Sequence, residues 1–401
     1  MPEAPWMSLL RVLFSAPKAA LLTILKNTHF SSEKNSTFWK FETFVSQTKV
    51  PGERLFGCVF CLAVVCTPNA LAQPSTTWKV PGTLGPADWQ ARIYQGIVLV
   101  TSPHSNFLYA YASSGKLMWK REMSWPLSRS PQLVEDKLLF QQDGQPAVLV
   151  QPETGETKQV LPRDHNGWTV PRDEKNWIQL GQAGQLLTAN KEWTEWRNLG
   201  HLRLPRGDDW FGPPVVVGST VYLGTIRGNL HQVDLAERWR SAVVGTQLPR
   251  PLLPPTPHPL GVVGVTVSGL LSLRGNNASW VKPFPGWTQC YSGHGEILAR
   301  PAIDSEGNIY LATRNQVSAW NPLGRKLWTR SLRCSSAVQW KEGGCYVADT
   351  SPAILKLDPA SGATLSRLPL PAGVASAPAI EKTLLAVALN NGEIFVNPSL
   401  P

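Results

Sequence analysis

Residues 300–330 read RPAIDSEGNIYLATRNQVSAWNPLGRKLWTR. Four β-type runs stand in this stretch: PAI, NIYLAT, QVSAW and KLWTRS, the last running on to Ser331. The turns between them are Asp304-Ser305-Glu306-Gly307 and Asn321-Pro322-Leu323-Gly324. Short runs rich in β-branched and aromatic residues, separated by Gly, Pro, Asn and Asp, predict strands joined by tight hairpins. Four such strands form one small antiparallel sheet that cannot bury its faces alone. It needs neighbours.

The rest of the chain supplies them, because the unit recurs about every 40 residues, the period of propeller blades. Good copies fall at 92–121, 130–161, 212–240, 336–368 and 376–398, and weaker ones at 175–204 and 250–284. That makes eight units, of which the last lacks a fourth strand. TTWKV at 76–80 fits the vacancy, since Trp78 stands where KLMWK and KLWTR carry Trp119 and Trp328. Pairing this strand into the last unit would close the ring and remove its open edges. The prediction is an all-β, eight-bladed propeller of four-stranded antiparallel blades closed by the N-terminal strand. Seven blades is the alternative, if 175–204 is an insertion.

Gly (32) and Pro (35) are abundant but sit at turns between apolar runs, which is the pattern of many short strands rather than of disorder. The net charge is +10, of which the first 72 residues hold seven Lys or Arg against four acids. The remaining +7 is a modest basic excess, without the clustered Lys, Arg and aromatics that nucleic-acid binding needs.

Residues 53–72, ERLFGCVFCLAVVCTPNALA, have the charged start, short apolar core and Ala-Leu-Ala cleavage site of a secretory signal. The apolar run is too short to span a membrane. The expected division is therefore a mis-assigned start or disordered extension over 1–49, a signal peptide over 50–72, and the propeller over 73–401. Val64-Val65 before Cys66 lacks the small residue that lipid modification requires. Cleavage after Ala72 would send the chain to the periplasm, cell envelope or medium, as a monomer with no transmembrane segment.

Cleavage leaves Cys290, Cys334 and Cys345, an odd number that permits at most one internal bridge. A hairpin through 341–344 is expected to set Cys345 opposite Gln339, too far from Cys334 to bond it. Cys290 and Cys334 both lie in links between blades, on one face, and an oxidising compartment would allow a bridge there. Such a loop would contribute about 4 kcal/mol.

The composite pattern is Pro-Ala-Ile/Val, Gly-x-Ile/Val-Tyr-Leu, Leu-x-Ala-x-Asn/Asp, Gly-Lys/Arg and Leu-Trp. It resembles the PQQ-like β-propeller repeat family of bacterial quinoproteins and BamB-type proteins. The resemblance implies the fold strongly and the activity weakly, since one fold serves enzymes and scaffolds alike. Trp78, Trp119, Trp239 and Trp328 sit in outer strands, where a flat side chain can wedge between blades and bury roughly 200 Å².

Quinoprotein dehydrogenases hold their quinone with adjacent cysteines and a calcium ion on Glu, Asn and Asp. This sequence has no adjacent cysteines, and its nearest acidic groupings, Asp208-Asp209 and Glu192/Glu195, lack a calcium-ligand pattern. It also lacks a His-Glu-x-x-His pair, a Gly-x-Ser-x-Gly elbow and a phosphate-cradling glycine loop. The expectation is a non-enzyme without a cofactor or metal. The rival is a small PQQ-dependent dehydrogenase, with calcium and with quinone stacked on Trp320 or Trp340, or a ligand-sensing propeller.

Two features suggest binding of envelope proteins. Arg250 and Arg300 directly precede the proline that opens a first strand, and Arg129 stands one position earlier. If these line the channel mouth, they form a partial basic ring suited to a carboxylate or an acidic peptide. The long link Phe284–Ile297, FPGWTQCYSGHGEI, carries Trp287, Tyr291 and His294, and long loops on rigid scaffolds are where recognition concentrates.

Overall fold

The computed structural model describes residues 75–400 except 82–89, 103–104, 124–130, 135, 142–146, 161–166, 174, 182–183, 191, 193, 237–239, 244–249, 276–278 and 293–294. The extension, the signal region, Arg129, Trp239 and His294 lie outside the described residues.

Eight separate four-stranded antiparallel sheets follow one another along the chain. Blades 1 to 7 run 90–122, 132–160, 167–201, 215–243, 256–283, 302–331 and 339–369. Blade 8 takes three strands from 379–397 and its outermost from Thr76–Lys79. In that closing pair Trp78 lies opposite Ile394 and Thr76 opposite Val396. The eight-bladed reading holds and the seven-bladed alternative falls. The weak copy at 175–204 is a full blade whose first strand, Gly167–Pro171, starts earlier than its sequence suggested. Its repeat signature is faint because only the local strand pattern is kept.

The opening stretch folds as its pattern requires, with strands Ala302–Ile303, Ile309–Thr313, Gln316–Trp320 and Lys326–Ser331. Asp304 holds the first turn: its Oδ1 accepts the N–H groups of Glu306 (2.9 Å) and Asn308 (2.7 Å). Its Oδ2 accepts the Tyr310 hydroxyl at 2.8 Å. Asn321 Oδ1 does the same for Leu323 and Arg325 in the second turn. Short polar side chains that satisfy local backbone donors are what make these residues turn formers.

Middle strands are buried along their whole length, as in Ile97–Ser102 and Ile309–Thr313, because a neighbouring blade covers each face. Outer strands such as Leu117–Glu122 and Thr364–Pro369 alternate between exposed and partly buried. Among the described residues the apolar side chains form eight clusters, one for each sequential blade pair, including blade 8 with blade 1. The core is thus a ring of interfaces rather than one centre.

Tryptophans dock these interfaces in one repeated manner. A Cβ on Gly155 or Gly362 of the next blade would lie 2.7 Å from the indole of Trp119 or Trp328. Trp119 Nε1 donates to Pro152 O and Trp328 Nε1 to Pro359 O, each at 2.7 Å. Arg121 and Arg330, two positions on, donate to the carbonyls of Gly155 and Gly362. Trp78 packs likewise on Gly115 across the ring closure. Trp280, which the sequence reading did not single out, repeats the arrangement on Gly324 with its Nε1 2.8 Å from Pro322 O.

The expected Cys290–Cys334 bridge is not formed; both thiols, and that of Cys345, are free and buried. The reason is packing: Cys290 belongs to the core between blades 5 and 6, whereas Cys334 and Cys345 belong to that between blades 6 and 7. The hairpin register also differs by one residue from expectation. Glu342 (φ 45) and Gly343 (φ 70) make a two-residue turn, so Cys345 pairs with Trp340 and Gln339 with Tyr346.

Candidate functional site

Residues at the inner edges of blades 2, 4, 5, 6 and 7, and of the links that enter them, line a cavity of about 710 Å³. Its wall mixes apolar side chains, among them Leu252, Ile303 and Trp340, with the polar Gln132, Gln141 and Arg300. The accessible wall is about as polar as apolar, so it offers both packing surface and groups that can orient a ligand.

One end of the channel is organised by the link between blades 5 and 6. A 3-10 turn, Trp287–Gln289, opens it, and Arg314 N and Asn315 Nδ2 of blade 6 bond to Gln289. Tyr291 and Ile297 then pair as a small hairpin, in which Ser292 Oγ accepts the Glu296 N–H. Ile297 reaches the channel wall. Glu296 extends further, and its Oε1 accepts the N–H of Ala377, at the entry to blade 8, at 2.8 Å.

Glu296 meets two arginines there. Its Oε2 is occluded from solvent without a hydrogen bond. Burial pushes its carboxyl up to about 7, against the lowering effects of the Ala377 N–H and of the Arg300 and Arg92 charges. Burial also lowers the Arg92 guanidinium; repulsion from Arg300 adds to this, and Tyr94 and Glu296 act the other way. Arg92 comes from the first strand of blade 1, Gln90–Tyr94. Arg92 of blade 1 therefore meets Glu296 and Arg300 of the link into blade 6, beside the Ala377 N–H at the entry to blade 8.

Of the three arginines expected at the mouth, Arg300 lines the channel. Arg250 is exposed beside the blade 5 turn, where its carbonyl accepts the Val267 N–H, and it does not line the cavity. Arg92 and Glu296 were missed. Arg92 sits in an ordinary alternating strand, and nothing local distinguishes Glu296 within its link. Trp287 and Tyr291 are 42% and 49% exposed, with the Trp287 ring against Gly269 of blade 5.

The residues considered for a quinone and calcium take the following positions. Trp320 is buried between blades 5 and 6 rather than facing the channel. Trp340 lines the channel, but its ring stacks on Tyr310 with centroids 5.8 Å apart. Asp208 is occupied as a turn cap, accepting from Asp209 N, Arg227 N and Asn229 Nδ2. Among the described residues no three His, Cys, Asp or Glu side chains gather in a metal-binding group. No helix among them is long and apolar enough to cross a membrane.

No curated protein matches the chain. Many solved structures resemble it. One is BamB from Moraxella catarrhalis, at TM-score 0.55 and 13% identity over 80% of this chain and 98% of that one. Another is the computationally designed Ika8 protein, at TM-score 0.57 and 11% identity with the same coverage. Such identities speak for the fold alone. Residues 313–397 match the family model described as outer membrane protein assembly factor BamB. Taken with the eight-bladed ring built from the same unit, that match identifies the repeat as the PQQ-like β-propeller repeat.

Proposed function

We propose that this chain is an exported, non-catalytic β-propeller that acts as a protein-interaction scaffold of the cell envelope, BamB-type in architecture. The observation that carries the reading is the Phe284–Ile297 link. It holds two large aromatic side chains, Trp287 and Tyr291, about half exposed on the ring. Exposed aromatic side chains are typical of the residues that dominate interface energy. The signal-like segment ending at Ala72 supports export.

Photo-crosslinking side chains placed at 287 and 291 in intact cells test this. Discrete adducts with envelope proteins from both positions, and none from an outer-strand position such as 365, are expected. Adducts equally abundant from all positions would sink the scaffold reading. A second reading, a ligand-sensing or quinone-dependent propeller, is favoured by the size of the channel. Pyrroloquinoline quinone added to the full chain with calcium separates these. Saturable tryptophan quenching with dye reduction would make the protein an enzyme, and quenching without turnover a sensor.

A further inference from the structure

The channel mouth holds more positive charge than the described chain neutralises. Arg300 lines the cavity and makes no hydrogen bond or ion pair with any described residue. Among the described residues, Arg92 has one long contact, 3.5 Å, to the carbonyl of its neighbour Ala91. Glu296 lies close enough to feel both charges, yet it is committed to the Ala377 N–H rather than paired with either arginine. Arg92 is half-buried, while Arg300 is exposed on the cavity wall, where an entering anion can reach its guanidinium directly.

We propose that the channel mouth is a binding site for a carboxylate-bearing ligand with an apolar body. Arg300 takes the carboxylate in the bidentate geometry that a planar guanidinium favours, and Arg92 supplies the second charge. The apolar body lies along Leu252, Ile303 and Trp340, in a cavity of about 710 Å³ that is large enough for a small organic acid or a peptide terminus. Glu296 already stands within electrostatic reach of both guanidinium groups. It also competes with the ligand for the two arginines. The proposal is independent of the scaffold reading, since it concerns the channel and not the exposed face of the link.

Calorimetry on the full chain tests it with two probe pairs: 3-phenylpropionate against 3-phenylpropanamide, and a phenylalanine-ended tripeptide with a free or an amidated terminus. At least one acid is expected to bind saturably at millimolar concentration, with its amide about tenfold weaker or worse. Arg300→Gln weakens the acid by about tenfold, while Arg250→Gln, outside the cavity, leaves it unchanged. Glu296→Gln removes the competing charge and tightens binding. Binding of the small acid alone assigns a free organic acid; binding of the tripeptide alone assigns a protein terminus. The proposal is overturned if neither acid saturates, if acid and amide bind equally, or if Arg300→Gln has no effect in a chain that melts like wild type.

Discussion

The indole of Trp328 lies against Gly362 of the next blade so closely that a Cβ there would fall 2.7 Å from the ring. The same glycine has φ 74, a conformation that L side chains adopt at a cost. The contact is therefore doubly specific, requiring both a flat side chain and a residue without one.

Gly362→Ala is expected to destabilise the chain by about 2–3 kcal/mol, from backbone strain plus displacement of the indole. Gly343→Ala isolates the first cause, because Gly343 has φ 70 but nothing within 4 Å of the added Cβ; about 1 kcal/mol is expected there. Urea unfolding of both variants decides the matter. Equal losses would mean that the indole contact contributes nothing.

Ring closure has a second fastening besides the Thr76–Lys79 strand. The Glu381 carboxylate of blade 8 accepts the N–H groups of Gln95 (2.9 Å) and Gly96 (2.7 Å), in the first turn of blade 1. Glu381→Ala is expected to cost about 1 kcal/mol, the usual net worth of hydrogen bonds near the surface. Because only this junction is pinned by the N-terminal strand, proteolysis should release residues 76–79 faster in the variant. Unchanged cleavage would show that the strand alone holds the ring.

Acid stability should depend on His258. It is buried, with Leu260 N–H donating to Nδ1 and Nε2 bonded to Gly307 O at 2.8 Å, an arrangement that requires the neutral ring. Burial lowers its pKa despite the opposing influence of Gly307 and Asp304. The unfolded chain therefore takes up a proton near pH 6.5 that the native chain refuses, so stability is lost as pH falls below about 6.5. Glu296, raised to about 7, acts with the opposite sign. The native state keeps a proton that the unfolded chain has released, so stability falls as pH rises from its unfolded value, about 4.3, towards 7. Urea midpoints across pH 5–8 should lose their acid-side slope in His258→Gln and gain stability near neutrality in Glu296→Gln. An unchanged slope in His258→Gln would contradict the assignment.

The cysteines of the propeller should be inert when folded. Burial pushes the Cys290 thiol up to about 11 and Cys334 to about 12, and raises Cys345 as well. The thiolate is the reactive form, so little of it exists at neutral pH. Iodoacetamide followed by peptide mapping should label all three only after unfolding. Labelling of Cys290 in the native protein, or recovery of a Cys290–Cys334 peptide, would refute this.

Much of the fold was legible in sequence because its determinants are local. The turns at Asp304 and Asn321 are held by their own side chains, and buried middle strands read as continuous apolar runs. Trp78 was placed correctly by likeness to Trp119 and Trp328, since each makes the same contact with a turn glycine. Trp280 makes that contact too, but it stands in a copy whose other repeat residues have drifted. The Cys290–Cys334 pairing failed because a shared face says nothing about which inter-blade core each thiol enters.

Periodicity and turn chemistry within about 40 residues made the propeller, its closing strand and the docking of Trp78, Trp119 and Trp328 legible, with seven blades still open beside eight. Only the tertiary structure decided the mouth of the channel. Glu296 and Ala377 are 81 residues apart, and Arg92 is more than twice as far away again. They meet because a closed ring directs the first strands of all its blades towards one axis. That convergence depends on the curvature summed over the whole circle, and no single repeat encodes it.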